Sequence, residues 1–378
     1  MSAVLKDGFV PENILAISNY GSMVGGGEHS FIDLMTALPA RFKPVVVSPH
    51  AGELAEKLRK RGITTHIAAI SPLRPWRIAH IYKSLKAYDQ LCRRHHISLI
   101  YANGSRAAFY AGIVGRALKI PVIWHCRIAQ RDPCLDLILV LLVTRIVSNS
   151  KATARRFASL SGSKIRVVYN GLDLNWLQDD AAHKAKLIGD DWKVLLVVGR
   201  VSKWKRHDLA LLAFEEVARF DPKVHLICLG TKDQGEQKWW DTLQEQTMNS
   251  TFSERIHWIG QVDDVRPWLR AAYVLILPSE NEPFGRVLVE AMAIGVPVVA
   301  SRSGGIPEII REGRDGFLVA AGKPYEFTSA INKILSDESS RRRIGQAGIK
   351  RAEFFSLDKH VDDMTRLFKE TLGLKPDE

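Results

Sequence analysis

Cysteine is scarce: four in 378 residues, at 92, 126, 134 and 228, without a C-x-x-C spacing or a partnered histidine pattern. That excludes a disulfide framework and a zinc site, and fits reduced thiols in a cytosolic protein. No metal is implied. Long apolar runs are also missing. The longest, residues 135–143, contains Asp136 and is bounded by Arg145, far short of the ~20 residues that cross a bilayer. It reads as a buried helix, with an interfacial segment as the lesser reading. Lys6, Asp7, Pro11 and Glu12 interrupt the first residues, so neither a secretory signal nor a membrane span is expected there, and a cytoplasmic location follows. The dinucleotide pattern G-x-G-x-x-G is absent as well. Counting from Gly25, the sixth position is Ser30, which removes the main support for an NAD-dependent oxidoreductase.

Acidic charge is thin in one half only. Residues 1–180 hold 24 Lys and Arg against 12 Asp and Glu, whereas residues 181–378 hold 29 against 29, so the net +12 sits entirely in the first half. A solvated basic surface and an anionic partner both fit that asymmetry. Short apolar β-rich runs alternate with amphipathic stretches: "NILAIS", "KPVVVS", "ISLIYA", "VIWHC", "RIVSNS" and "IRVVYN", then from "WKVLLVVGR" through "KVHLICLG", "RIHWIG", "YVLILPS", "VPVVAS" and "GFLVA". Such runs, with helices between, are the pattern of parallel sheets covered on both faces. Two doubly wound α/β domains are therefore expected, 1–175 and 190–355, with a linker near 174–190. Residues 356–378 are expected to form a helix that crosses back to the first domain.

Several loops carry chemistry. In "ISNYGSMVGGGEHSFIDLM", Gly25, Gly26 and Gly27 let backbone approach a ligand, and a helix opening at Glu28 offers N–H groups to an anion. Alone, the run describes a tight turn as readily. In "VVGRVSKWKRHDLALLAF", Arg200 and Lys205 lie at the carboxyl end of a strand, where ligands of open α/β sheets bind. In "PSENEPFGRVLVEAMAIGVPVVAS", Glu282 falls in the loop leaving a strand and Glu290 in the first turns of the next helix. Carboxylates only accept hydrogen bonds, so two of them suit a ligand with several hydroxyls, such as a ribose and a hexose. The N–H groups around Phe284 and Gly285 suit a phosphate.

Glu282 and Glu290, followed by "SGGIPEII" and preceded by "SNSKAT", "VVYNGLDL" and "GRVSKWK", resemble the signature of the retaining glycosyltransferases of family 4, which have the GT-B fold. The resemblance implies two Rossmann-like domains facing a central cleft, the first binding an acceptor and the second a nucleotide-sugar donor. It implies that Arg200 and Lys205 neutralise the donor diphosphate, that Glu282 holds hydroxyls of the transferred sugar, and that Glu290 binds the ribose diol. Phe284 and Gly285 would offer backbone amides, as would the Gly26–Gly27 loop. His125, in "PVIWHCR", matches a histidine near the transferred sugar, although a histidine after a buried strand is more often a core residue. Asn170 to Asp173 matches a turn with a structural role. One departure stands out: the family usually follows the lysine with glycine, whereas this chain has Arg206, His207 and Asp208.

The implied activity is transfer of a hexose-type sugar to a glycan, lipid-linked or small-molecule hydroxyl, in cell-envelope or polysaccharide biosynthesis, with retention and without a metal cofactor. The acidic doublets Asp190-Asp191 and Asp263-Asp264 lack the Asp-x-Asp spacing used by metal-dependent transferases of the other large architecture. A GT-B epimerase or hydrolase of nucleotide sugars would share the donor residues. A non-catalytic scaffold would be expected to have lost one of Arg200, Lys205, Glu282 or Glu290, and all four are present. Nucleic acid is not an expected partner. An anionic membrane surface is a candidate, because "PWRIAHIYKSLKAYDQLCRRHH" combines Arg77, Lys83, Lys86, Arg93 and Arg94, beside Arg74, with Trp76, Ile78, Ile81, Tyr82, Leu85 and Leu91. The same pattern describes an ordinary helix packed on its own sheet. Peripheral contact with the inner face of the membrane is the corresponding expectation.

Overall fold

A computed structural model describes residues 10–23, 25–160, 162–179, 185, 187–233 and 235–375. Two compact units divide the chain: Met1–Gly171 together with Leu357–Glu378, and Leu172–Ser356. Of the segments singled out in the sequence, residues 1–9 of the N-terminal stretch and residues 180–184 and 186 of the expected linker lie outside the described residues.

The first unit holds seven strands, β1 (Glu12–Ser18), β2 (Phe42–Ser48), β3 (Thr64–Ile67), β4 (Ile97–Asn103), β5 (Val122–Cys126), β6 (Arg145–Ser148) and β7 (Ile165–Val167). They are paired in parallel in the order β3-β2-β1-β4-β5-β6-β7. The second holds β8 (Lys193–Val198), β9 (Val224–Leu229), β10 (Ile256–Gly260), β11 (Ala272–Leu277), β12 (Val298–Ser301) and β13 (Phe317–Val319) in the order β10-β9-β8-β11-β12-β13. In both sheets the strand order reverses beside the first strand of the unit, β1 or β8, and ligands of doubly wound sheets bind at the carboxyl ends near such a switch point. The apolar runs of the sequence are these strands, with one addition. β3, "TTHI", is a short edge strand that carries no continuous apolar signal and is only partly covered.

Alternation along β1 feeds two cores. Leu15 and Ile17 join Tyr88, Tyr110, Trp124 and Phe157 on one face, while Ile14 and Ala16 join Phe31, Tyr101 and Phe42 on the other. The helix Leu357–Leu372 completes that second core with Met364, Leu367 and Phe368. Phe368 meets Phe42 edge-on at 5.6 Å and Tyr101 at 6.0 Å. A fully buried side chain of this size contributes about 1.5–3 kcal/mol. This helix is thus an integral layer of the first unit. Helix Glu338–Ala352 stays with the second unit, where Gly345 and Gly348 pack closely on the segment 292–295.

Two expectations are corrected. The division falls between Gly171 and Leu172, ahead of the expected linker. Helix Leu174–Gln178, capped by Asp173, is tied into the second unit by the bond from Gln178 Nε2 to Ala293 O at 3.1 Å. The run 135–143 is not a fully buried helix. Asp132 caps it by accepting from Leu135 N at 3.2 Å, and Pro133 presets its first turn. Asp136, Leu139 and Val140 then face inward, while Leu137, Ile138 and Leu141 remain 51%, 45% and 58% exposed. A helix that is apolar all round gives no periodicity from which to read its covered face.

Candidate functional site

In the second unit, glycines bring two loops together at the carboxyl edge of the sheet. Gly230 follows β9 at φ +131°, where a Cβ would lie 2.1 Å from Gly199 O. Only glycine permits that approach, and it seats the loop after β8 against the loop after β9. Arg200 Nη1 then donates to both carboxylate oxygens of Asp233, at 2.9 and 2.8 Å. A short 3-10 turn, Lys203–Lys205, carries Lys205 back over Gly199, and its Nζ donates to Glu282 Oε2 at 2.6 Å. Both side chains are largely covered.

Glu282 is positioned from behind by the "SGG" segment. Gly305 N donates to Glu282 O at 2.7 Å, Asn281 N donates to Ser303 Oγ at 2.7 Å, and a Cβ on Gly304 would lie 2.1 Å from Glu282 O. Gly304, at φ +58°, is therefore a site residue that the motif reading passed over, and the signal was the doublet itself. Phe284 turns its ring into the core, edge-on to Phe355 at 5.7 Å, which leaves only its backbone for a ligand. Gly285, at φ +95°, caps helix Arg286–Ala293. One turn on, Glu290 Oε1 accepts from Arg286 Nε at 2.8 Å, an i,i+4 pair with both side chains mostly covered. The structure thus joins Lys205 to Glu282, gives Arg200 a partner in Asp233 that the motifs do not reveal, and pairs Glu290 with Arg286 at i,i+4.

The departure at 206 has a local reason. Arg206 adopts φ 54°, ψ 47°, the left-handed conformation glycine takes at no cost, and caps helix His207–Ala218. A non-glycine residue there costs about 1–2 kcal/mol. Offsetting it, Arg206 Nε and Nη2 donate to Asp208 at 3.0 and 2.8 Å, and Nη1 pairs with Glu280. His207 beside it is buried, and burial with the Lys205 charge pushes its pKa down to about 3, so the ring is neutral at physiological pH.

In the first unit, Gly26 and Gly27 are not in the turn; they open helix Gly26–Ala37, whose start is closed by Gly25 N donating to Glu28 Oε2 at 3.0 Å. A Cβ on Gly27 would lie 3.3 Å from Arg127 Cδ. Arg127 donates to Asn103 Oδ1 at 2.9 Å and to Asn170 Oδ1, and its Nη2 lies 3.4 Å from His125 Nδ1. His125, at the end of β5, is fully buried, with Tyr101 Oη 2.5 Å from the same nitrogen. Burial, Arg127 and His360 hold its pKa well below the ordinary value. Nδ1 faces both the Tyr101 hydroxyl and the Arg127 guanidinium, an arrangement that suits Nδ1 as acceptor, and Nε2 has no hydrogen-bond partner among the described residues. The ring is therefore held neutral. The neighbours Tyr101 and Asn103 were not readable from the motifs, since they reach His125 and Arg127 through the register of β4 beside β5.

Residues 178–351 match the family described as Glycosyl transferases group 1, and residues 24–176 match Glycosyltransferase Family 4. The chain is 34% identical over 337 residues to the lipopolysaccharide core biosynthesis glycosyltransferase LpsE of Rhizobium meliloti, covering 86% of this chain and 89% of that protein. It is 28% identical over 256 residues to a D-inositol 3-phosphate glycosyltransferase of Thermobifida fusca, covering 62% of this chain and 57% of that relative's length. Anabaena HepE, solved in complex with UDP-glucose, shares the fold with a TM-score of 0.84 at 24% identity, over 95% of this chain and 99% of that one. With both halves matched and the relation to LpsE running over most of the chain, the chain belongs to the group 1 glycosyltransferases of family 4, built on the GT-B fold.

Proposed function

We propose that this chain is a retaining hexosyltransferase that moves a sugar from a nucleoside diphosphate donor to a glycan, lipid-linked or small-molecule hydroxyl in cell-envelope or polysaccharide biosynthesis. The observation that carries the reading is the covered Lys205–Glu282 pair, 2.6 Å apart, beside the start of helix Arg286–Ala293. A lysine held by one carboxylate can turn to a diphosphate, and the carboxylate is then free to accept sugar hydroxyls. Glu290 takes the ribose diol, and the amides at Phe284 and Gly285 meet phosphate. As the sugar leaves, negative charge grows on the diphosphate, and Arg200, Lys205 and the helix dipole stabilise it without a divalent ion. HepE was crystallised with UDP-glucose, and LpsE is a lipopolysaccharide core enzyme by name, which makes UDP-glucose the first donor to try.

The test is donor turnover in excess EDTA. Glu290→Ala should weaken UDP binding by roughly tenfold or more, the loss of a charged hydrogen-bond partner, whereas Glu282→Ala should lower transfer more than UDP affinity. If EDTA abolishes turnover and magnesium or manganese restores it, the metal-free reading is rejected.

We also propose that the first unit touches an anionic membrane. Ile81, Leu85 and Leu91 pack on the core, as an ordinary helix requires, but Trp76, Ile78 and Tyr82 at the start of the segment are 75%, 70% and 67% exposed. The guanidinium of Arg74 lies 5.5 Å from the Trp76 ring. Exposed aromatics among cations suit an interface where each Lys or Arg adds about 1 kcal/mol. No helix among the described residues is long and apolar enough to cross a membrane. Sedimentation with phosphatidylserine vesicles should be salt-sensitive and should drop when Arg74, Arg77, Lys83 and Lys86 become Gln. Protein left in the supernatant at low salt would overturn docking.

A further inference from the structure

We infer that Arg206 is a positioning residue: it straps the turn that carries Lys205 to the loop that carries Glu282, and so sets the geometry of that pair. The inference rests on the donor-site reading above and concerns a residue where this chain departs from the family's glycine.

Two contacts join the loops on either side of Lys205. On one side the main chain is closed, with Glu280 N donating to Trp204 O at 2.8 Å. On the other, the guanidinium of Arg206 pairs with the carboxylate of the same residue, Glu280. Lys205 lies between the two attachment points on its own loop, and Glu282 follows two residues after Glu280 on the other. The far side of the second loop is held independently by Ser303 and Gly305. A glycine at 206 would supply the left-handed turn at lower conformational cost, but beside the Lys205–Glu282 pair itself it would leave the loops tied only by the main-chain bond. Arginine accepts the strained conformation and adds a charged link. Its Nε and Nη2 are taken by Asp208 and its Nη1 by Glu280. Each guanidinium nitrogen thus has a carboxylate partner, and Arg206 acts through Lys205 and Glu282.

The decisive variant is Arg206→Gly, because glycine fits the backbone there and the protein should fold with a melting temperature at or above that of the parent. The first readout needs no substrate. Amide hydrogen exchange at Lys205 and Glu280 should quicken by about tenfold or more, the loss of one local tie, and Glu280→Gln should have a similar effect. With UDP-glucose as donor, kcat should fall by about ten- to a hundredfold, the scale of a small misplacement of a catalytic group. The KM for donor should change little, and Arg206→Lys should restore part of kcat. The double variant Arg206→Gly/Glu280→Gln should be no worse than either single change, since both cut one link. Unchanged exchange at both amides, or a kcat equal to the parent's in Arg206→Gly, overturns the inference, and so does additivity in the double variant. Loss of kcat in Lys205→Ala alongside an unaffected Arg206→Gly would leave the donor-site reading intact and remove only the strap. Parental turnover in Lys205→Ala would remove the donor-site reading instead.

Discussion

Lys205→Ala is expected to lower kcat with UDP-glucose by about 30- to 1,000-fold, equivalent to about 2–4 kcal/mol in the barrier. The size follows from when the charge is needed. In the proposed reading, ground-state binding of a diphosphate would be shared among Arg200, the amides at the helix start and Lys205, so losing one cation should weaken donor affinity only in part. Leaving-group charge, by contrast, appears only as the sugar departs, and a covered ammonium meets it in surroundings where water screens weakly. Stability changes must be kept apart from this effect, because removing the lysine leaves Glu282 as a covered carboxylate without its 2.6 Å partner. The double variant Lys205→Ala/Glu282→Gln removes that orphan charge. It should recover the melting temperature of the parent while turnover stays low. Turnover near the parent's in Lys205→Ala would reject the assignment.

Asp136→Ala is expected to destabilise the first unit by about 3–5 kcal/mol, a drop in melting temperature on the order of 10 °C for a unit of this size. Arg156 and Asp136 form a fully buried pair at 2.5 Å, and the guanidinium also lies over the rings of Trp124 and Phe157. Its remaining direction is used on Ile128 O at 3.0 Å. Removing the carboxylate strands a cation among aromatic and aliphatic groups, where water cannot replace the lost partner. Replacing both residues, as Asp136→Leu/Arg156→Met, should cost far less, because no charge is then left behind. Calorimetry on the two variants separates these outcomes. Equal losses in both would show that packing, and not the stranded charge, sets the effect.

What was legible in the sequence tracks how local its cause is. The strands were readable because each is a continuous apolar run bounded by turns, and β3 escaped because its covered and uncovered residues are mixed in four positions. Arg286 and Glu290 stand at i,i+4, so their pair could have been drawn from spacing alone. The contact of Lys205 with Glu282 spans 77 positions and that of Arg206 with Glu280 spans 74, and no spacing rule reaches that far. The helix around Leu137 and Leu141 failed for the opposite reason, since a uniformly apolar segment looks covered on every side. At Arg206 the family's glycine named the backbone conformation correctly, but the residue that replaced it is explained only by where Asp208 and Glu280 stand.

The division of the chain also has a consequence during synthesis. The second unit is one unbroken stretch, Leu172–Ser356, whereas the first draws its last layer from Leu357–Leu372. On the ribosome, at about 5–20 residues per second, the second unit emerges whole and can close on itself while the first still waits for Phe368. Until then Phe42 and Tyr101 lack the cover that Phe368 gives them, and the side of the sheet that this helix covers would be the surface for a chaperone to meet.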